Sequence, residues 1–418
     1  MVQDATRTLD AVSLTMHWSK LQAIVDEATA TLLRTAFSRI VTDAWDFSCA
    51  LFDAHGEMIA QGRHGLPAFV GCLALAVKDF ISAYPPACLE PGDTLMTNDP
   101  WIGASQVNDV FMVTPIFHRG LVAYAGNVSH SADVGGRVLS ADSTEVFEEG
   151  FRLPIVKLFR RGEPNDDLFR IIRLNVRVPD IVGGDLLAQL AANETMARRV
   201  VEFLAEKGLP DLEALGAEVL ARSEAAMRRA IAAIPRGTYH GAIETDGFDS
   251  PLTLRCAITV EADELFVDLT GTSPQDEHGI NCAWRFAYAD TAHALICVAR
   301  PASPVNGATL RAIRWHAPEG TIVNPQPPAP LGGRALVSMY LHALVFRTLA
   351  PVVPDRVVAD AGSPPVLSAY TGTGHGGRRY VEIMFANGGF GARPTMDGLA
   401  PLGWPANIAT VPAQGAGR

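Results

Sequence analysis

Between residues 14 and 41 the apolar side chains Leu21, Val25, Ala28, Leu32, Ala36 and Ile40 return every three or four positions. That is the spacing of one face of a helix, and it predicts a long amphipathic helix. The period then changes. "DFSCALFDAHGEMIAQG" reads as strand, turn and strand, with Asp53 to Gly56 as the reversal and Asp46 at the entry to the first strand. "VFMVTPIF" and "LVAYAGNV" flank "HRG" as a second hairpin, apolar enough to be covered on both faces. Such a hairpin brings its outer ends together, so Gln106 to Asp109 and His130 become neighbours in space.

A helical block follows from about Asp185 to Ile234, interrupted at "KGLPD", where Lys207, Gly208 and Pro210 give a stop and restart. Leu212, Leu215, Val219, Met227, Ile231 and Ile234 supply the packing face of its second half. Beyond "IPRGTYHG" the texture turns to β, with "LTLRCAITV" and "LFVDLTG" around "EADE" as a third hairpin. "NPQPPAPLGG" reads as a Pro-rich loop, "ALVSMYLHALVFRTLA" as a buried helix and "ANGGFGARPTMDG" as a Gly-rich loop. The pattern predicts a mixed α+β (α/β) class. A mixed-sheet N-terminal lobe with the helical block is expected over residues 1–235, and a β-rich lobe over 236–418.

Composition narrows the function. The chain has 418 residues, 48% hydrophobic and 19% charged, with 34 Lys and Arg against 45 Asp and Glu for a net charge of −11. With no basic tract, nucleic acid is excluded as a partner. With no apolar run of membrane length, a membrane is excluded as well. The N-terminus carries Asp4 and Asp10 and does not read as a signal peptide, so a cytoplasmic location is expected. Six scattered cysteines form no CxxC and read as small buried apolar side chains.

Several motifs fail on context. "GTGHGG" fits GxGxxG, but a strand follows it where a dinucleotide site needs a helix, so it reads as a hairpin turn. The chain contains neither GxxxxGK[ST] nor GxSxG. Cys49 lies an odd number of positions from Asp46 and faces the other way, into the core. Asp46, Gln106, Asp109 and His130 remain, a set that suits a divalent ion such as Zn, Mn or Mg, and equally a hydrogen-bonded turn.

"DFSCALFDAHGEMIAQG", "GDTLMTNDPWIGASQVNDVFMVTPIF", "SHSADVGGR", "EVFEEGFRLPIVKL", "GGDLLAQLAANE", "VDLTGTSPQ" and "APEGTIVNPQPPAP" follow one another from about Leu9 to Pro401. In this order they resemble the hydantoinase B/oxoprolinase family. The resemblance implies an A-type partner subunit with an actin-like ATPase fold, which binds ATP and phosphorylates the amide or carbonyl oxygen. It implies a B-type chain that carries the carbonyl chemistry on a small cyclic amide, such as a hydantoin or 5-oxoproline. It also implies catalysis by Asp46, Asp109 and His130, and a divalent metal held by these three with Gln106. Alternatives within the resemblance are a ketone carboxylase subunit and a catalytically degenerate scaffold.

The residues depart from the family pattern at three histidines, which fall on Gln106, Ser131 and Phe69. Asp133 and Arg137 are expected around the site, with Glu145, Glu148 and Glu149 structural or solvated. The chain is also expected to be short at its C-terminus, ending in "WPANIATVPAQGAGR".

Overall fold

A computed structural model describes residues 10–360, 366–387, 389–398 and 411–412; the N-terminal stretch before Asp10 and most of "WPANIATVPAQGAGR" lie outside the described residues. Fourteen strands are described: β1 (Phe47–Asp53), β2 (Met58–Gln61), β3 (Thr94–Thr97), β4 (Asp109–Phe117), β5 (Leu121–His130), β6 (Val156–Arg160), β7 (Glu163–Pro164), β8 (Gly237–Thr245), β9 (Leu252–Val260), β10 (Leu265–Asp268), β11 (Ile313–His316), β12 (Val366–Thr373), β13 (Arg379–Asn387) and β14 (Val411–Pro412). The helices are α1 (Ala11–Thr35), α2 (Arg39–Thr42), α3 (Pro67–Ala83), α4 (Asp166–Asn175), α5 (Pro179–Lys207), α6 (Glu213–Ala232), α7 (Trp284–Ala299) and α8 (Ala335–Leu349). The class is mixed α+β, as the pattern predicts.

The first seven strands form one sheet in the order β2-β1-β5-β4-β3-β6-β7. Every pairing in it is antiparallel. Parallel pairs occur between β10 and β11 and between β13 and β14, in the other two sheets. In the central β4–β5 hairpin every residue of β4 but Phe117 and of β5 but Leu121 is buried, so the hydrophobic run signals cover on both faces.

The helix expected over 14–41 is broken. α1 stops at Thr35, and the Asp185 carboxylate on α5 accepts from the backbone N–H groups of Phe37 (2.7 Å) and Ser38 (3.1 Å) before α2 begins. The periodicity continues through the gap because both helices face the same core, while a distant carboxylate satisfies the backbone donors that the break releases. Gly208 ends α5 in the left-handed region at φ +65°, as the "KGLPD" signal predicts. Gly372 and Thr373 still pair as the end of β12, and residues 374–378 turn between the antiparallel strands β12 and β13.

One apolar cluster runs from Leu14 to Phe385 and includes residues on both sides of position 235. α3 meets α7 closely enough that a Cβ on Gly71 would lie 2.7 Å from that of Ala289. Of the cysteines, Cys49, Cys72, Cys256 and Cys282 are buried and Cys297 is half-buried. Cys88 departs from the expectation. It is exposed because the short turn that carries it has no buried residue.

A polar network pins α5 to the hairpin. Asn127 Nδ2 donates to Gln189 O and to Asn193 Oδ1, both at 2.8 Å. Gln189 Nε2 donates to Val110 O (2.9 Å) and Asn193 Nδ2 to Met112 O (3.3 Å), so the strand leading away from Asp109 is fixed by side chains. All three network residues are buried. Asn193→Ala leaves acceptors without donors and is expected to cost about 1–3 kcal/mol in chemical denaturation; an unchanged midpoint would remove the network from the account.

Candidate functional site

The antiparallel register places Asp109 directly opposite His130, and the N–H of His130 donates to the carbonyl of Asp46 at 3.0 Å. Three neighbouring strand ends thereby bring three side chains to one point. His130 Nδ1 lies 2.9 Å from Asp109 Oδ1 and 3.7 Å from Asp46 Oδ2, and none of the three residues is more than 3% exposed. Trp45 (φ +61°) and Ser105 (φ +69°), each one residue before Asp46 and Gln106, occupy the left-handed region that non-glycine residues rarely adopt. Arg119, Leu139, Arg161 and Arg300 share this conformation elsewhere among the described residues, so the strain at Trp45 and Ser105 accompanies the site without marking it.

A fourth participant comes from the far side of position 235. Arg334, 5% exposed, donates from a terminal guanidinium nitrogen to Asp109 Oδ2 at 2.5 Å. Its guanidinium carbon lies 3.9 Å from the ring centre of Phe286 and 5.9 Å from that of Phe69. The two rings meet edge to face. Phe69, which stands where relatives are expected to carry a histidine, therefore backs a cation by ring contact.

Burial dominates the electrostatics. It pushes the Asp46 carboxyl up to about 6, with the neighbouring Asp109 adding to the rise and His130 and Arg334 opposing it. Asp290 on α7 is driven well above the ordinary carboxylate range by burial, against the pull of Arg334.

The Pro-rich loop that carries Arg334 is stitched into the same place. Gln106 Nε2 donates to Gly332 O at 2.6 Å, and Glu149 Oε1 accepts from the N–H groups of Leu331 (2.5 Å) and Gly332 (2.6 Å). The approach requires glycine: a Cβ on Gly332 would lie 2.8 Å from Ser140 O. Glu149 is buried and structural, with its carboxyl pushed up to about 7, chiefly by burial.

A raised native pKa means that the folded state favours the protonated acid. The Glu149 contribution is thus complete below about pH 4.5 and is lost as pH rises through 7. A shift of this size corresponds to about 3 kcal/mol. Glu149→Gln is expected to flatten the fall in melting temperature between pH 5 and pH 8, leaving the share due to Asp46 and Asp290; an unaltered pH profile would contradict this.

The sequence expectation is met in part. Asp46, Asp109 and His130 are brought together, but Gln106 is turned to the Gly332 carbonyl. Both oxygens of Asp109 are engaged, by His130 and by Arg334. In this centre Asp46 Oδ1 and His130 Nε2 are left as buried side-chain atoms without a hydrogen-bond partner among the described residues. With Asp109 paired to a guanidinium, Asp46 and His130 are left as two candidate ligands, fewer than the three protein ligands of a catalytic zinc site. Among the described residues no group of three or more His, Cys, Asp or Glu is placed to hold a metal ion. The four-residue metal grip does not fit this arrangement, because the Asp109 carboxylate already holds a guanidinium.

Other expectations shift as well. Asp133 pairs with Arg177 (2.7 Å), whereas Arg137 pairs with Glu148 (3.0 Å) at the surface. The Ser131 hydroxyl donates to Asp133 O. Arg334 and Asp290 escape a sequence reading because nothing local marks them; the glycine pair closing "NPQPPAPLGG" is the one signal that the loop approaches another backbone.

Residues 10–412 match the family described as hydantoinase B/oxoprolinase. The chain belongs to that family. It is 30% identical over 414 residues to caprolactamase subunit beta from Pseudomonas jessenii, covering 96% of this chain and 69% of that one. 5-Oxoprolinase 1 from Arabidopsis thaliana is 27% identical over 430 residues, and this chain spans 33% of its length.

The crystal structure of the Pseudomonas jessenii ATP-dependent caprolactamase superposes with a TM-score of 0.84 at 28% identity, covering 96% of this chain and 70% of that one. A nucleotide-free acetone carboxylase structure superposes at 0.88 with 20% identity, over 97% and 58% of the two chains, a likeness of fold alone. Family members act on cyclic amides, as their names state. Among the described residues no helix is long and apolar enough to cross a membrane.

Proposed function

We propose that this chain is the B-type subunit of an ATP-dependent cyclic amide hydrolase, opening a hydantoin or 5-oxoproline ring together with an actin-like A-type subunit that binds ATP. The observation that carries the reading is the meeting of Asp46, His130 and Asp109 at three adjacent strand ends, in a chain of this family. The naming of a relative as a caprolactamase beta subunit supports the need for a partner.

In this reading Asp109 Oδ1 fixes the His130 ring through Nδ1 and leaves Nε2 as the reactive nitrogen. Nε2 takes a proton from the water that attacks the amide carbon, Asp109 stabilises the cationic ring that results, and the proton passes to the leaving nitrogen as the C–N bond breaks. A cavity of about 190 Å³ includes Ser48, two residues along from Asp46, together with Gln61, His64 and His293. None of Asp46, Asp109 and His130 lines this cavity, so it lies beside the centre and is not the space that faces His130.

A catalytically silent scaffold is the second reading, favoured by the Gln106 amide being committed to Gly332. Co-expression with an A-type subunit, followed by assay of ATP-dependent opening of 5-oxoproline and hydantoin, separates the two. Turnover supports the hydrolase. A stable complex without turnover supports the scaffold, and bicarbonate-dependent ATP consumption with a ketone would replace both by a carboxylase.

A further inference from the structure

Three buried carboxylates, Asp46, Asp109 and Asp290, share the influence of one guanidinium. A carboxylate as deeply buried as Asp109 needs a partner, and the architecture supplies a guanidinium for it by construction. The loop before α8 is tied to the first sheet's surroundings by Gln106, by Glu149 and by Trp101, whose Nε1 donates to Pro325 O at 3.2 Å. Val146 N adds a bond to Pro328 O at 2.9 Å. These contacts fix the loop along its length, and its last residue projects a guanidinium onto Asp109 between two aromatic rings. Asp109 and the two rings thus hold the guanidinium in place.

We propose that Arg334 is the resident cation of this centre: it neutralises Asp109 from the position a divalent ion would need, so that the chain binds no metal there while the loop is docked. The inference rests on the assignment of Asp46, Asp109 and His130 as the functional centre. A dication entering beside a fixed guanidinium meets like charge, which costs several kcal/mol and weakens binding by at least about 100-fold.

The test uses the full chain, with Mn²⁺ and Zn²⁺ as probes in titration calorimetry and elemental analysis after dialysis. Wild type and Arg334→Lys, which keeps the charge, are expected to retain no ion at this centre. Arg334→Met, folded by circular dichroism, is expected to gain one site, at least about 100-fold tighter than any in the wild type, and to lose it in the Arg334→Met/Asp109→Asn double variant. Stoichiometric uptake by the wild type that Asp109→Asn abolishes would overturn the proposal, as would a folded Arg334→Met that gains nothing. Should Arg334→Met not fold, the wild-type measurement decides alone. Metal in an otherwise active wild type refutes the resident cation and leaves the hydrolase standing; an inactive, metal-free wild type does the reverse.

Discussion

His130→Gln in the co-expressed complex is expected to lower the rate of ATP-dependent ring opening by about 10²–10⁴-fold, the usual contribution of a positioned acid–base group. The expectation follows from geometry. His130 is 2% exposed, its Nδ1 is held by Asp109 at 2.9 Å, and its Nε2 has no hydrogen-bond partner among the described residues. A buried ring nitrogen that no protein group satisfies is open to a water or a reacting group. Steady-state kinetics on the purified complex check the point, with a thermal melt to show that the fold persists. A variant retaining most of the wild-type turnover would remove His130 from the mechanism.

Arg334→Met is expected to cost about 3–5 kcal/mol, because Asp109 is then left buried without its guanidinium partner. The Asp109 side chain is 0% exposed and that of Arg334 is 7%. Arg161 and Glu90 also form an ion pair, but at 72% and 47% side-chain exposure their contribution is about 0–1 kcal/mol. A double-mutant cycle with Asp109→Asn, read from denaturant midpoints, isolates the coupling. Additive losses would mean that the two residues act separately, and the resident-cation account would lose its energetic basis.

The legible parts of the fold were those whose signal is local. The β4–β5 hairpin followed from two apolar runs around "HRG", and its register set Asp109 opposite His130. The α5–α6 break followed from Gly208 and Pro210. The gap between α1 and α2 was not legible, because its donors are satisfied by Asp185, some 147 residues away in sequence. Sheet order beyond the hairpins, in which β5 sits between β1 and β4, likewise depends on pairings that no local pattern encodes.

The candidate site divides along the same line. The hairpin by itself determined that Asp109 and His130 would share one end of a sheet, since strand geometry converts sequence position into a place; that Asp46 joins them was decided by the pairing of β1 with β5. Which partners those groups take was decided by tertiary structure alone. Arg334 reaches Asp109 across 225 residues of chain and Gln106 reaches Gly332 across 226. The physical reason is that hydrogen bonding is short-ranged and directional: it selects whatever donor the folded loop delivers, and a Pro-rich segment carries no period to announce where it docks.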